Sequence, residues 1–170
     1  MVMAFANLMR YSIYYGSTIV PLQTDIEYIN DYLLLQKMRY NRRLNYHIDI
    51  PEELMGCKIP KLLLQPVVEN SLVHGMKDIR SIAINISAWK EKGQLKLCVE
   101  DNGSGIREEK LEELRKGLER EDVYREHIGL YNSHRVVRLL YGPESGMTIE
   151  SSPGNGTKVT VTLPADMEEI

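Results

Sequence analysis

The sequence predicts an α/β (α+β) two-layer sandwich. Its sheet is mixed, mostly antiparallel and of about five strands, with three helices on one face and an α-helical segment before it. Three observations predict this. Five segments alternate apolar and polar residues with period two. The short turn Glu91-Lys92-Gly93 joins two of them as an antiparallel hairpin. Helical segments interleave with the strands in the order βαββ-α-charged stretch-αββ, without an internal repeat.

Composition sets the limits. A chain of 170 residues makes one domain, or one domain with a helical extension. A net charge of −3 gives no overall basic footprint for nucleic acid. Cys57 and Cys98 are far apart, lack metal-like spacing and suit a reduced cytosolic setting. No apolar run reaches the roughly 18 to 20 residues of a membrane span. Met1 to Arg10 does not read as a signal peptide. The first residues already read as mid-helix, as in a piece of a longer protein.

The elements follow in order. Ala4, Leu8, Tyr11 and Tyr15 form a helical stripe over Met1 to Tyr15, broken at Gly16 and Ser17. Pro21 suits the first turn of a second helix, and Thr24 with Glu27 reads as its capping box. Leu22, Ile26, Ile29 and Leu33 carry its apolar face, which broadens through Leu34, Leu35 and Met38 and ends near Arg39 to Arg43. A helix pair apolar on more than one side suits a dimerising bundle. Leu44, Tyr46, Ile48 and Ile50 make a half-buried strand, with His47 on its solvated face. An apolar helix is expected over Lys61 to Met76, with Pro66 early, Asn70 and His74 on one face, and Gly75 as its C-cap.

Ile82, Ile84, Ile86 and Ala88 alternate in the next strand, and Trp89 near its end reads as packing. Leu95, Leu97 and Val99 alternate in its hairpin partner, and Asp101 continues their apolar phase. A carboxylate in a core-facing row is costly unless hydrogen-bonded, and Gly103 and Gly105 behind it allow a sharp turn and a close approach. Glu108 to Gly117 makes a helix whose stripe is Leu111, Leu114 and Leu118. The charged stretch from Glu119 to Glu126 reads as a mobile lid with basic groups for phosphate. His127-Ile128-Gly129-Leu130 opens a helix to about Tyr141, closed by Gly142-Pro143. Met147 and Ile149 pair with Val159, Val161 and Leu163 across the loop Ser152 to Gly156.

In such a sandwich the helix bearing Asn70 and the strand end bearing Asp101 face one crevice. An amide oxygen suits Mg²⁺, a hard ion that shares its shell with phosphate. A buried carboxylate accepts from an exocyclic amine such as that of adenine. Gly103, Gly105 and Gly129 can present backbone N–H groups to phosphate. Together these parts describe an ATP–Mg²⁺ site. A calcium loop over Asp101 to Glu112 fails, because Ile106 stands where the glycine must be and a strand precedes it. There is no P-loop, and Gly103-Ser104-Gly105 lacks the third glycine of a dinucleotide fingerprint.

These residues resemble the GHKL superfamily of ATP-binding domains (gyrase, heat-shock chaperone, histidine kinase, MutL), whose fold is the Bergerat type. Leu64 to Gly75, read LQPVVENSLVHG, resembles the N-box. Asp101-x-Gly103-x-Gly105 resembles the first glycine box and Ile128-Gly129-Leu130 the second. Gly154-Asn155-Gly156-Thr157 resembles the late Gly-Thr motif. They occur in the family order and span most of Leu44 to Pro164. Within the superfamily, Leu8 to Ser12, Tyr32 to Tyr40 and Leu63 to Asn70 are similar to LytS-like sensor histidine kinases of two-component systems.

The resemblance implies that Asn70 holds Mg²⁺ and Asp101 accepts from adenine. Gly103, Gly105, Gly129 and Leu130 would shape the phosphate loop and lid. Thr157 would lie near the adenine-binding Asp or its water, and His74 beside the phosphates. Glu69 could act on an acceptor, although helix geometry places it on a different side from Asn70. Residues 1–43 would be the end of a dimerisation and phosphoacceptor bundle, and 44–170 the catalytic ATP-binding domain. The implied partners are ATP, a phosphoacceptor histidine segment of the same or a partner protomer, a response regulator and a second copy in a homodimer. The parent would sit in the bacterial cell membrane with this part in the cytoplasm.

The chain departs from the pattern in two places. None of His47, His74, His127 and His134 stands in the family's phosphoacceptor context, so the substrate histidine lies outside this chain. His127 stands where a glycine is more usual. The superfamily's ATPases place a Glu four residues before the metal Asn, and here that position is Pro66, which cannot be a base. This favours phosphoryl transfer over plain hydrolysis. A nucleotide-regulated binding module, or an anti-sigma-type kinase acting on serine, is the competing expectation.

Overall fold

The period-two segments pair as their alternation requires. The computed structural model describes residues 16–77, 79–120 and 127–165. The helix expected over Met1 to Tyr15, the Leu8 to Ser12 match and the charged residues from Glu121 to Glu126 lie outside the described residues. The strands are β1 Ile19–Pro21, β2 Leu44–Asp49, β3 Lys58–Pro60, β4 Ile82–Glu91, β5 Gln94–Asp101, β6 Gly146–Ser151 and β7 Thr157–Pro164. The helices are α1 Leu22–Tyr40, α2 Gln65–Asn70, α3 Glu108–Arg120 and α4 Ile128–Tyr141. A π-helical turn, Ser71–Gly75, continues α2.

Five strands form one sheet in the order β2-β4-β5-β7-β6. The β2–β4 pair is parallel and the other three are antiparallel. Ile86, Val99, Val159 and Ile149 lie in register across four strands, and all are buried. Hydrophobic burial at about 1.5–3 kcal/mol per large side chain makes this row a substantial part of the core's cohesion. The opposite face keeps polar residues, and Trp89 stands there, 37% exposed, across from Lys96. It is therefore only partly packed. The pairing of β1 with β3 was not foreseen, and it joins the start of α1 to the chain before α2.

The helices bury the stripes their spacing assigns. Leu111, Leu114 and Leu118 are buried on α3, in a segment otherwise dense in charge. On α4, Leu130, Tyr131, His134 and Val137 are buried. Nδ1 of His134 accepts from the Met147 N–H at 2.9 Å, which ties α4 to β6. Burial, helped by the Arg138 charge, lowers the pKa of His134 and keeps the ring neutral.

Three expectations are corrected. The capping box of Thr24 and Glu27 does not form, because α1 starts earlier and no side chain caps it. Its first donors go instead to main-chain carbonyls, Leu22 N–H to Cys57 O at 2.8 Å and Gln23 N–H to Met55 O at 2.9 Å. The helix expected from Lys61 begins at Gln65. The N–H groups of Leu62 and Leu64 donate to the Asp25 carboxylate at 2.8 and 3.3 Å, and Leu62 takes a φ of 60°. Residues 61–64 therefore form a turn fastened to α1. Gly75 is not a left-handed C-cap; the cap is Met76 with a φ of −80°. Gly75 is needed for space, since a Cβ there would lie 2.9 Å from Cδ1 of Ile82 and 3.1 Å from the Asp101 carboxylate.

Asp25 is fully buried, so its loss leaves two backbone donors without acceptors. Asp25→Ala is expected to lower the unfolding free energy by roughly 2–4 kcal/mol. Urea denaturation followed by circular dichroism measures this, and a change under half a kcal/mol would contradict the fastening role.

Candidate functional site

Asp101 ends the central strand β5 and is 3% exposed. Burial raises its pKa from 3.8, against the lowering effect of hydrogen bonds from the Ser71 side chain and the Gly103 and Thr157 backbones. Its Oδ1 accepts from Gly103 N–H at 2.8 Å and from Thr157 N–H at 3.3 Å. Three segments distant in sequence thus meet at one carboxylate: the π turn, the loop after β5 and the start of β7.

These segments interlock through missing side chains. A Cβ on Gly103 would sit 2.5 Å from both Cα and the carbonyl oxygen of Gly75. That approach lets Ser104 N–H donate to Gly75 O at 2.9 Å and Ser104 Oγ donate to His74 O at 3.2 Å. Gly105 has a φ of +68°, and a Cβ on it would collide with the Ser152 carbonyl. Gly154 N–H donates to Ser104 O at 2.8 Å, and Ile106 N–H to Ser151 Oγ at 2.9 Å. Thr157 lies beside Asp101 through its backbone, while its hydroxyl meets Ser151 Oγ at 3.0 Å.

The other half of the site is a cleft of about 200 Å³ lined by Pro66, Glu69, Asn70, Val73, His74 and residues 127–130. Oδ1 of Asn70 lies 3.0 Å from Nδ1 of His127, which donates to it. The rings of His74 and His127 are 4.9 Å apart, centroid to centroid, and tilted by 49°. Gly129 allows α4 to start close to Pro66, whose Cβ would lie 2.9 Å from an added Cβ. Leu130 is 2% exposed and closes the inner wall of the cleft.

The structure brings Asn70, His74, Gly129 and Leu130 around this cleft, and Gly103, Gly105 and Thr157 around Asp101. Asp101 does not line the cleft itself. The end of α2 and the π turn join the halves, with Asn70 and His74 on one side and Ser71 and Gly75 on the other. Glu69 corrects an expectation, because it lines the same cleft as Asn70. Its Oε1 accepts from Gln65 Nε2 at 2.7 Å, and Gln65 Oε1 accepts from the Tyr28 hydroxyl at 3.0 Å. Burial first, and then the Glu69 charge, push the hydroxyls of Tyr28 and Tyr32 up to about 12. Two further cavities lie between α3, α4 and β6, and no expected site residue lines them.

Sequence reasoning missed Asp25, Tyr28, Gln65, Ser71 and Ser151. The signal for Asp25 was present, since it falls in phase with Leu22, Ile26, Ile29 and Leu33. Gln65 and Glu69 had the i, i+4 spacing of a helix pair. The contacts of Tyr28 and Ser151 depend on tertiary structure alone.

Comparison with known proteins places these features in context. Residues 58–167 match the family described as histidine kinase-, DNA gyrase B-, and HSP90-like ATPase, and residues 1–44 match one described as histidine kinase. The chain is 33% identical over 171 residues to the sensor histidine kinase YesM of Bacillus subtilis, covering all of this chain and 28% of that protein. It is 30% identical over 163 residues to the sensor protein kinase HptS of Staphylococcus aureus, covering 96% of this chain and 31% of that one. The chain thus spans less than a third of these curated relatives. The catalytic domain of the histidine kinase ThkA superposes with a TM-score of 0.67 at 15% identity, covering 89% of this chain and 98% of that one, which shows a shared fold.

The raised pKa of Asp101 carries a pH signature. The folded state holds the proton more tightly than the unfolded state, so Asp101 costs stability as pH rises from about 3.8 through its higher native value. The difference in unfolding free energy, Asp101→Asn minus the unsubstituted chain, is expected to grow across that window. Denaturant titrations between pH 3.5 and about 7 measure it, and a flat difference would contradict the raised value.

Proposed function

This chain belongs to the histidine kinase-, DNA gyrase B-, and HSP90-like ATPase family, and on that premise we propose that it is the ATP-binding catalytic portion of a two-component sensor histidine kinase. In the whole protein, the γ-phosphate of ATP would pass to a histidine outside this chain and then to a response regulator. The observation that carries this reading is the joint between Asn70 and Asp101. One short π turn sets the spacing between an amide that suits a metal and a buried carboxylate that suits an amine.

The residues have separable roles. Asp101 accepts from the adenine amine, held in place by Gly103 N–H, Thr157 N–H and Ser71. Gly103, Gly105 and Gly129, with Leu130 packed behind, shape the backbone that faces phosphate. His74 neighbours the phosphates across the cleft. Asn70 would hold Mg²⁺, and its amide oxygen fits a hard ion, with the Glu69 carboxylate in the same wall and room left for water and phosphate oxygens. When bound, Mg²⁺ would neutralise charge on the transferring phosphate. The His127 contact engages one lone pair of that oxygen, and the ion would take the other. Glu69, aimed by Gln65 and Tyr28, is placed to polarise an acceptor imidazole. Pro66 offers no base for water, which favours transfer over hydrolysis.

The rest of the assembly is read from the resemblance. Residues 1–43 are proposed as the end of a dimerisation and phosphoacceptor bundle, and 44–170 as the catalytic domain. Leu34 and Met38 stay exposed on α1, at 43% and 58%, which supports a helical partner there. The parent is proposed to lie in the bacterial cell membrane. No helix among the described residues is long and apolar enough to cross one.

Calorimetry tests the reading. The chain is expected to bind ATP more tightly with Mg²⁺ than without. Asn70→Ala should remove the difference, and Asp101→Asn should weaken ATP binding by roughly 10- to 100-fold. Incubated with labelled ATP, the chain alone is expected to take up no acid-labile phosphate, whereas a fragment bearing the acceptor histidine should become labelled. Self-labelling would overturn the assignment of the acceptor to another segment.

A further inference from the structure

The two imidazoles in the cleft are not explained by a hard ion. Mg²⁺ prefers oxygen, whereas imidazole suits borderline ions such as Zn²⁺. His127 also stands where the resemblance leads one to expect glycine, so the pair of rings distinguishes this chain from that pattern. We propose that the cleft beside Asn70 binds a borderline divalent transition ion, Zn²⁺ in particular, on Asn70 Oδ1 and the imidazoles of His127 and His74, without nucleotide.

The geometry is close to that of a formed site. Asn70 Oδ1 and His127 Nδ1 are 3.0 Å apart. Two donors at that separation, each about 2.1 Å from one ion, subtend about 90° at it, a normal angle between adjacent ligands in five- or six-coordination. The ion would sit to one side of the line joining these two atoms, and a His127 ring that binds it through Nδ1 carries its proton on Nε2. His74 lies one helical turn after Asn70 on the same wall, its ring centroid 4.9 Å from that of His127. The cleft of about 200 Å³ leaves room for one ion and its waters beside the three side chains. Among the described residues, no group of three or more His, Cys, Asp or Glu is placed to hold a metal. The site therefore rests on two imidazoles and an amide oxygen, with the remaining positions left to water. Because Asn70 Oδ1 is also the proposed Mg²⁺ ligand, Zn²⁺ and ATP–Mg²⁺ would exclude each other.

Calorimetric titration of the intact chain with ZnCl₂, without nucleotide, tests the proposal. One Zn²⁺ is expected per chain, and His127→Gln and His74→Gln should each weaken it at least tenfold. The glutamine at 127 retains an N–H for Asn70, which guards the fold, and matching thermal melts by circular dichroism check it. No binding up to about 100 μM Zn²⁺, binding unchanged in either variant, or a melt lowered in both variants without Zn²⁺ and restored by it would each overturn the shared site. The Zn²⁺ readout needs no nucleotide, so its failure is distinct from a failure of ATP binding.

Discussion

The Asp101 carboxylate is buried at the end of the central strand, where an unpaired charge would be untenable. Its partners come from Ser71, Gly103 and Thr157, spread over 87 positions of sequence from the first to the last. The cost of burying one charge therefore fixes the relative positions of three loops. Gly75 and Gly103 allow their contact, and a side chain at either would separate the π turn from the loop after β5. The same interlock places Asn70 and His74, because His74 lies in the turn with Ser71 and Gly75 and Asn70 immediately precedes it. Half of the candidate site is thus positioned by the hydrogen-bond needs of the other half.

A second buried carboxylate does similar work on the other side. Asp25 projects from α1 and takes the backbone donors of Leu62 and Leu64. Where Asp101 gathers loops around the strand end, Asp25 sets where α2 can begin. Main-chain donors already committed to a carboxylate are not available for a first helical turn, so the helix waits until Gln65. Pro66 then falls in the first turn, where its missing N–H costs nothing, and its ring packs beside Gly129. A shift of that start by one residue would turn Asn70 by about 100° around the helix and break its bond to His127.

Most of the sheet was legible in the sequence, because each strand has one buried face and period two leaves no ambiguity of face. Asp101 was legible for the same reason, as a charge in an apolar row. The start of α2 was not, because its determinant is Asp25, 37 residues upstream of the Leu62 donor that it holds. The cap of α1 was misread because carbonyls of Met55 and Cys57 supply it, and main-chain caps leave no residue signature. Glu69 was misjudged from helix geometry alone. Neighbouring helix positions diverge by about 100°, but the start of α4 lies across both and makes one wall of the two. The pairing of β1 with β3 involves three residues on each side, too short for periodicity to register.

The place of α1 follows from these contacts. Leu22, Ile29 and Leu33 are fully buried in the same core as the sheet. Tyr28 reaches Gln65, and Gln65 reaches Glu69 in the wall of the cleft, through bonds of 3.0 and 2.7 Å. Hydrogen bonds weaken steeply with displacement, so a slide of α1 by about one ångström must either carry α2 with it or release Glu69. Asp25 makes the first outcome the cheaper one, since releasing Leu62 and Leu64 would strand a buried and a half-buried donor and a buried carboxylate. A displacement of α1 would thus be carried to α2, which ends at Asn70. Residues 1–44 and 58–167 match two different families, yet the packing makes α1 a mechanical part of the site.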